Sequence, residues 1–250
     1  MNKEKFLREG ERIDDLQRNG LFIISDPAGF CFGMDAVLLS GFVGEHNKRS
    51  GEKILDLCTG NGIIPILLSA KTRAAEITGI ELQHKAADMA LRSVELNSLK
   101  DRIRIIEDDI NRAAEYITAA SFDVVTVNPP YFKSGHGIIN PDDAKTIARH
   151  EVACSLDDVL RESGRALKNG GSFYMVHKPQ RLVDIFVSMR KADIEPKTLK
   201  EVYPHMGMAP AMVLIEGRKG ANAELKIESP LIIYKEDNTY TEEMYTIYGY

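Results

Sequence analysis

The chain has 250 residues, 44% hydrophobic and 28% charged, with a formal net charge of −5 at pH 7. That length suits one large α/β domain, or one domain with small additions, and no stretch approaches the ~20 apolar residues needed to span a bilayer. The acidic balance argues against a general polyanion binder, because non-specific nucleic-acid affinity is largely electrostatic, whereas a local basic patch suffices for a specific one. Cys31, Cys58 and Cys154 are too few and too far apart for a disulfide framework or a zinc ribbon. They read as small buried residues in a reducing cytoplasm. The charged start, Met1-Asn2-Lys3-Glu4-Lys5, has no apolar run behind it and does not read as a secretory signal. His46, His84, His136, His150, His177 and His205 show no ligand spacing, so no metal is expected.

Residues 1–20 are polar with a weak helical rhythm, and 21–24 reads as a short strand. Asp26-Pro27-Ala28-Gly29 is a turn. Residues 36–43 read as a helix with Asp35 as its N-cap. From residue 53 the alternation becomes regular. Strands are expected at 53–58, Glu76–Glu81, 103–109 and Phe122–Val127. Helices are expected at Ile63–Lys71, at 83–97 with Ala86, Ala90, Leu91 and Val94 on its apolar face, and at 112–119. Residues 133–150 form the one long irregular stretch, a kind of loop that is often functional or disordered. A helix at 155–167 capped by Ser155, a strand at 171–177, a helix at 180–191 and two strands at 199–204 and 211–218 complete the pattern. Residues 231–250 are tyrosine-rich and read as a closing strand plus a short helix.

Strands separated by helices imply a mostly parallel sheet with helices on both faces. The last two strands suit an antiparallel pair at one edge. The expected organisation is one domain over residues 1–250, with an N-terminal extension at 1–50, a core at 51–218 and a C-terminal segment at 219–250.

The apolar run Phe122–Val127 stops at Asn128-Pro129-Pro130-Tyr131. Two prolines cannot continue a ladder, so the strand ends abruptly. It leaves an amide, a backbone carbonyl and an aromatic ring at the C-terminal edge, where open α/β sheets bind ligands. A planar amine can donate to the Asn128 oxygen and to the Pro129 carbonyl while Tyr131 stacks on its ring. Asp56-Leu57-Cys58-Thr59-Gly60-Asn61-Gly62 closes the first core strand and opens a helix. Its glycines permit close approach to a ligand, and the helix start offers unpaired N–H groups. A dinucleotide fingerprint needs a third glycine where Pro65 stands. Asp56 suits a ligand carrying an ammonium or sulfonium better than a diphosphate. Glu81, ending the next strand, can accept from two ribose hydroxyls, and Asp109 can accept from an adenine amine. Each acid alone is a solvated strand end or a helix cap. Four strand ends in register along one edge join them into one site.

These residues resemble the class I S-adenosylmethionine-dependent methyltransferases, whose Rossmann-like seven-stranded fold the resemblance implies over residues 20–218. Asp56–Gly62 resembles the first motif of that family, with Cys58, Gly60 and Gly62 as its cofactor contacts. Glu81 with Leu82 matches the ribose acid, and Asp109 with Ile110 the adenine side. Asn128–Tyr131 matches the signature of enzymes that methylate exocyclic or amide nitrogens. Phe32-Gly33-Met34-Asp35-Ala36-Val37-Leu38-Leu39 is similar to a segment of bacterial tRNA (adenine-N6)-methyltransferases that act at position 37 of a valine tRNA. The tail from Leu231 to Glu242 is similar as well. The usual Gly-Thr-Asp-Gly of that family is Gly33-Met34-Asp35-Ala36 here. The resemblance implies S-adenosylmethionine as cofactor, Gly33 and Asp35 beside it, Asn128, Pro129, Pro130 and Tyr131 as the catalytic signature, and an adenine amine in tRNA as acceptor. It implies a cytoplasmic enzyme, read here as a monomer.

Three other readings stay open. Release-factor glutamine methyltransferases share the signature, but the residues before Lys53 are too few for the helical domain typical of them. RNA guanine methyltransferases usually carry Phe where Tyr131 stands. A non-catalytic S-adenosylmethionine- or RNA-binding module would not need the full set of acids and Asn128.

Overall fold

A hairpin of β1 (Arg12–Asp15) and β2 (Phe22–Ser25) opens the chain, after a short 3-10 turn at Lys3–Phe6. The computed structural model describes residues 3–29, 31–129 and 155–249. Pro130, Tyr131, the 133–150 stretch and Cys154 therefore lie outside the described residues. Seven long strands are described after the hairpin: β3 (Lys53–Leu57), β4 (Glu76–Glu81), β5 (Ile103–Glu107), β6 (Phe122–Val127), β7 (Leu167–His177), β8 (Ile194–Tyr203) and β9 (Met212–Lys219). Two short strands, β10 (Lys226–Ile227) and β11 (Leu231–Ile232), line β8. The described helices are α1 (Met34–His46), α2 (Ile63–Lys71), α3 (His84–Leu96), α4 (Leu156–Ala166), α5 (Leu182–Lys191) and α6 (Glu242–Tyr248).

The main sheet runs β10-β8-β9-β7-β6-β3-β4-β5. Strands β5, β4, β3, β6 and β7 are mutually parallel. Strand β9 is antiparallel to both β7 and β8. The expected antiparallel partner is present, but it is inserted inside the sheet, between β8 and β7, two strands that point the same way.

Alternation along each central strand divides the core into two layers. Ile54, Ile77 and Val124 face a cluster with Leu38, Leu39, Ile66 and Val94 from α1, α2 and α3. Leu55, Leu57, Val125 and Val127 face Leu160, Ile185 and Met189 from α4 and α5. Strand β6 is covered on both sides, which explains its continuous apolar run. Burying one such side chain contributes about 1.5–3 kcal/mol.

The N-terminal region corrects the helical reading of residues 1–20. Arg12 to Asp15 pair with Ser25 to Phe22 instead. The free edge of β2 does not meet another strand. Side chains of α3 satisfy its backbone: Ser93 Oγ accepts from the Ile24 N–H at 3.0 Å, and Asn97 Oδ1 accepts from the Phe22 N–H at 2.8 Å. Arg92, also on α3, clamps Glu11 at 2.6 Å. These tertiary bonds outweigh the weak local preference of a polar segment. Leu91 is corrected too. It is 47% exposed, whereas Ala86, Ala90 and Val94 are buried. One residue beyond Ala90 is about 100° around a helix, which carries Leu91 off the apolar stripe.

Two helix starts also differ. Gly33, not Asp35, is the N-cap of α1, and Asp35 lies in its first turn. Strand β5 ends at Glu107, so Asp109 does not close a strand. It caps a 3-10 helix, Ile110–Glu115, through Oδ1, which accepts from the Asn111 N–H at 2.9 Å. Ser155 caps α4 as expected, in a reciprocal capping box with Asp158. The C-terminal segment supplies β11 and α6, and α6 packs on α1. No described helix is long and apolar enough to cross a membrane, and no group of His, Cys, Asp or Glu among the described residues could hold a metal ion.

Candidate functional site

Parallel pairing aligns four strand tips, those of β3, β4, β5 and β6. Leu57 lies opposite both Ile80 and Val127, and Glu81 lies opposite Glu107. The residues that follow, Cys58–Gly62, Leu82, Asp108–Asp109 and Asn128, therefore leave the sheet along one edge. This is the C-terminal edge where open α/β sheets take ligands.

The glycine loop is built around Asp56. Its carboxylate accepts from the Thr59 hydroxyl at 2.5 Å and the Thr126 hydroxyl at 2.6 Å. Asp56 is 0% exposed. The expectation that it faces a cationic ligand is thus corrected: it lies behind the loop, tying the loop to β6. Burial raises its pKa from the usual 3.8 to about 7; the hydroxyl bonds oppose the shift and nearby Glu81 adds to it. Gly79, opposite Asp56 on β4, makes room for this arrangement, since a Cβ there would lie 2.8 Å from Thr59 Oγ1. Cys58 holds a left-handed φ of +59°, unusual for a residue with a side chain. Gly62 caps α2 at φ +86°, with α3 so close that a Cβ would meet Ala90 Cβ at 3.1 Å.

Glu81 is 5% exposed and bridges two helix starts. Its carboxylate accepts from the Gly60 N–H at 2.8 Å and the Gln83 N–H at 2.9 Å. Gln83 caps α3, and Gly60 lies in the loop that opens α2. One carboxylate thus holds the loop against the tip of β4. Next to it Leu82 is 44% exposed, an apolar surface at the edge, while Ile110 is 4% exposed. Asp109 sits beyond β5; its Oδ1 accepts from both the Asn111 backbone and side-chain nitrogens.

Asn128 follows β6 and is half-buried. Its Nδ2 donates to Asp35 Oδ2 at 3.0 Å. Its Oδ1 is buried and has no hydrogen-bond partner among the described residues. Pro129, next to it, is buried. Asp35 is held in turn, with Oδ1 accepting from the Ala36 N–H at 3.0 Å. Gly33 lies close enough that a Cβ there would be 2.5 Å from Asp35 Oδ1. The structure thus brings Gly33 and Asp35 to Asn128. Pro130 and Tyr131 are outside the described residues.

Sequence reasoning missed several partners. Thr59 and Thr126 brace Asp56, and nothing in a run of apolar and small residues marks them out. Asn61 stands between two glycines, and its Nδ2 donates to the Ile24 carbonyl at 2.9 Å, docking the hairpin on the loop. Asn61 Oδ1 and Ser25 Oγ are buried without partners, so this junction carries two further acceptor atoms. Only the polar character of Asn61 in a glycine loop could have flagged it.

The chain is similar to proteins of known kind. A curated relative from Porphyromonas gingivalis, named tRNA1(Val) (adenine(37)-N6)-methyltransferase, is 29% identical over 84% of this chain and 84% of its own length. A relative of the same name from Tolumonas auensis is 29% identical over 88% of this chain and 89% of its own. Among solved structures, a protein from Agrobacterium tumefaciens described as a predicted O-methyltransferase superposes with a TM-score of 0.70 at 22% identity, covering 86% of this chain and 96% of that one. At that identity the likeness speaks for the fold alone. The family model described as "Methyltransferase small domain" matches residues 35–192, which span the Asp35 helix, the glycine loop, Glu81, Asp109 and Asn128. The chain belongs to the methyltransferase small domain family.

Proposed function

We propose that this protein transfers a methyl group from S-adenosylmethionine to the exocyclic N6 amine of an adenine in RNA, with tRNA, at position 37 of a valine isoacceptor, as the substrate. One observation carries the chemistry: the Asn128 amide oxygen is buried and has no partner among the described residues, at the strand tip next to the glycine loop. A buried acceptor without a donor is costly and rare in folded proteins. An amine arriving at that tip would supply the donor. The curated relatives support adenine in tRNA over a protein amide.

The residues present fit the cofactor. The Gly60–Gly62 backbone leaves a close approach at the start of α2, and Glu81 presents a buried carboxylate beside it. Leu82 offers an exposed apolar surface next to that acid, suited to a purine face. Asn61 Oδ1 and Ser25 Oγ are acceptors that suit an ammonium. S-adenosylmethionine, when bound, would supply an electrophilic methyl group on its sulfonium and would leave as the neutral thioether once that methyl is transferred.

The chain's own work is positioning. A target base leaves its stack to reach the strand tips. The Asn128 oxygen and the Pro129 carbonyl accept from the two N–H groups of the amine. That draws its lone pair out of conjugation with the ring and turns it toward the methyl. The family resemblance assigns Tyr131, which lies outside the described residues, to stacking on the base, an interaction worth ~1–3 kcal/mol in other systems. No strong base is required, because the methylated amine sheds its proton to solvent. Orientation of this kind can lower a barrier by ~7–11 kcal/mol. The same reading takes residues 1–250 as one unit, acting in the cytoplasm as a monomer.

The test is incubation of the purified protein with labelled S-adenosylmethionine and total tRNA, total rRNA or release factor in parallel, followed by digestion to nucleosides and amino acids. N6-methyladenosine from the tRNA arm is the expected product. Label in methylglutamine, or in guanosine alone, would overturn the proposal.

A further inference from the structure

Asparagine is an ambiguous catalytic group. Its amide presents an oxygen on one side and an NH2 of nearly the same shape on the other. With the oxygen inward it accepts from an amine. Turned over, it would set two donors against the donors of the amine, and would suit a ring nitrogen or a carbonyl instead. Something must choose between the two orientations, and the Asn128 backbone cannot.

We propose that Asp35 is the positioning residue that locks the Asn128 amide with its oxygen toward the acceptor, so that the site selects an amine donor. The proposal rests on the amine-methylation reading above. A carboxylate only accepts, so the Asn128 atom facing it at 3.0 Å is the nitrogen. The oxygen is then forced to the other side, where it is buried and without a partner among the described residues. The bond is charge-assisted, and such bonds are about twice as strong as neutral ones.

Asp35 is itself fixed. It lies in the first turn of α1, whose N-terminus favours a negative charge. Oδ1 takes the Ala36 N–H at 3.0 Å, which leaves Oδ2 aimed at Asn128. Gly33 keeps the space beside Oδ1 open, since a Cβ there would come within 2.5 Å of it. The two residues are 93 positions apart, so the pair is assembled only when α1 packs over the tip of β6. The role assigned here is orientation of the catalytic amide, in place of the cofactor contact and the helix cap that the sequence suggested.

Asp35→Asn keeps the shape but lets the pair form in either sense, because position 35 can then donate as well as accept. The experiment measures single-turnover methylation of total tRNA with labelled S-adenosylmethionine, on the full chain. It also measures S-adenosylmethionine affinity by calorimetry, the apparent KM for tRNA, and the melting temperature. The expected result for a folded Asp35→Asn is a rate lowered roughly 10- to 100-fold, the discrimination that a charge-assisted hydrogen bond provides. Both affinities should stay within about twofold of wild type, a split that a general loss of structure would not produce. The exchanged pair, Asp35→Asn with Asn128→Asp, restores an acceptor oxygen held by a donor amide. It should be about tenfold faster than Asn128→Asp alone, where two carboxylates face each other.

A folded Asp35→Asn within about threefold of the wild-type rate overturns the proposal. If Asp35→Asn does not fold, the exchanged pair decides, and a folded exchanged pair no faster than Asn128→Asp overturns it too. A wild type silent toward tRNA, rRNA and release factor alike would overturn the functional reading and this proposal together. An active wild type beside an equally active Asp35→Asn removes this proposal alone.

Discussion

The two halves of the catalytic edge are built on opposite principles. In the cofactor half, the two acids are tied to the protein itself. Asp56 accepts from two threonine hydroxyls, and Glu81 accepts from two backbone N–H groups that open neighbouring helices. In the acceptor corner, the Asn128 oxygen is buried and has no partner among the described residues. The first half is a scaffold whose acids shape a loop. The second keeps one strong acceptor in reserve, at a cost of about 1–3 kcal/mol. The contrast separates residues whose loss should damage binding or folding from one whose loss should damage chemistry alone.

The sharpest way to break the comparison is Asn128→Ala. It should lower the rate of methyl transfer by roughly 10²- to 10³-fold, as removal of a preorganised polar group does elsewhere. S-adenosylmethionine affinity and the melting temperature should barely move, because no described residue other than Asp35 depends on the Asn128 side chain. A mutant that methylates near the wild-type rate, or that loses the cofactor, would dissolve the distinction.

Glu81→Gln probes the opposite half. It keeps the size but replaces one of two acceptor oxygens with a donor that would face the Gly60 or Gln83 N–H. Hydrogen bonds to charged groups contribute about 1.5–3 kcal/mol. Affinity for S-adenosylmethionine should therefore weaken roughly 10- to 100-fold, with the rate at saturating cofactor much less affected. Calorimetric titration against single-turnover rates at high cofactor would separate the two. A fall in rate with unchanged affinity would place Glu81 on the wrong side of the comparison.

Gly62→Ala tests the scaffold without touching a polar group. The residue holds φ +86° and has Ala90 Cβ within 3.1 Å of where its own Cβ would stand. A left-handed conformation costs a non-glycine residue about 1–2 kcal/mol, and the contact adds to that. The melting temperature should fall by several degrees, more than for alanine at the exposed Gly51, which has the same left-handed backbone in open space. Equal losses at the two positions would show that packing against α3 contributes nothing.

How much of this was readable in advance follows from the range of the forces involved. Strand β6 was legible to the residue, because burial on both faces fills four of its six positions with Phe122, Val124, Val125 and Val127. Helix α2 was legible as well, bounded by Gly62 and ended at Lys71. The strand-tip alignment followed from the βα alternation and is what the register shows. What escaped depends on contacts distant in sequence. Strand β2 was read at 21–24, but β1 was not; the hairpin they form is held by Ser93, Asn97 and Arg92, some 70 to 80 positions away, and β1 carries little local signal. Asp109 looked like a strand end because an acid after an apolar run fits both a strand tip and a cap. Asp56 was identified as important but placed on the wrong surface, since its two threonine partners lie on different segments, three and 70 residues away. A composition rule sees an acid; only the fold decides whether it meets solvent, ligand or hydroxyl.

The last expected effect is a pH dependence and concerns that buried acid. Asp56 has a pKa raised from 3.8 to about 7, chiefly by burial. The folded protein therefore holds a proton on this group between those values while the unfolded chain has released it. Stability contributed by Asp56 is then greatest below pH ~3.8, falls as pH rises toward ~7, and is level above it. An Asp56→Asn variant carries no proton to lose at this position, and its amide can still accept from one threonine and donate to the other. Its melting temperature relative to wild type should climb across this window and then run parallel at higher pH. Thermal unfolding of both proteins at half-unit steps from pH 4 to pH 9 would reveal it. Two curves that stay parallel throughout would mean that Asp56 titrates as an ordinary carboxylate. The loop would then be braced by an ionised acid, which the threonine hydroxyls alone would have to sustain in the core.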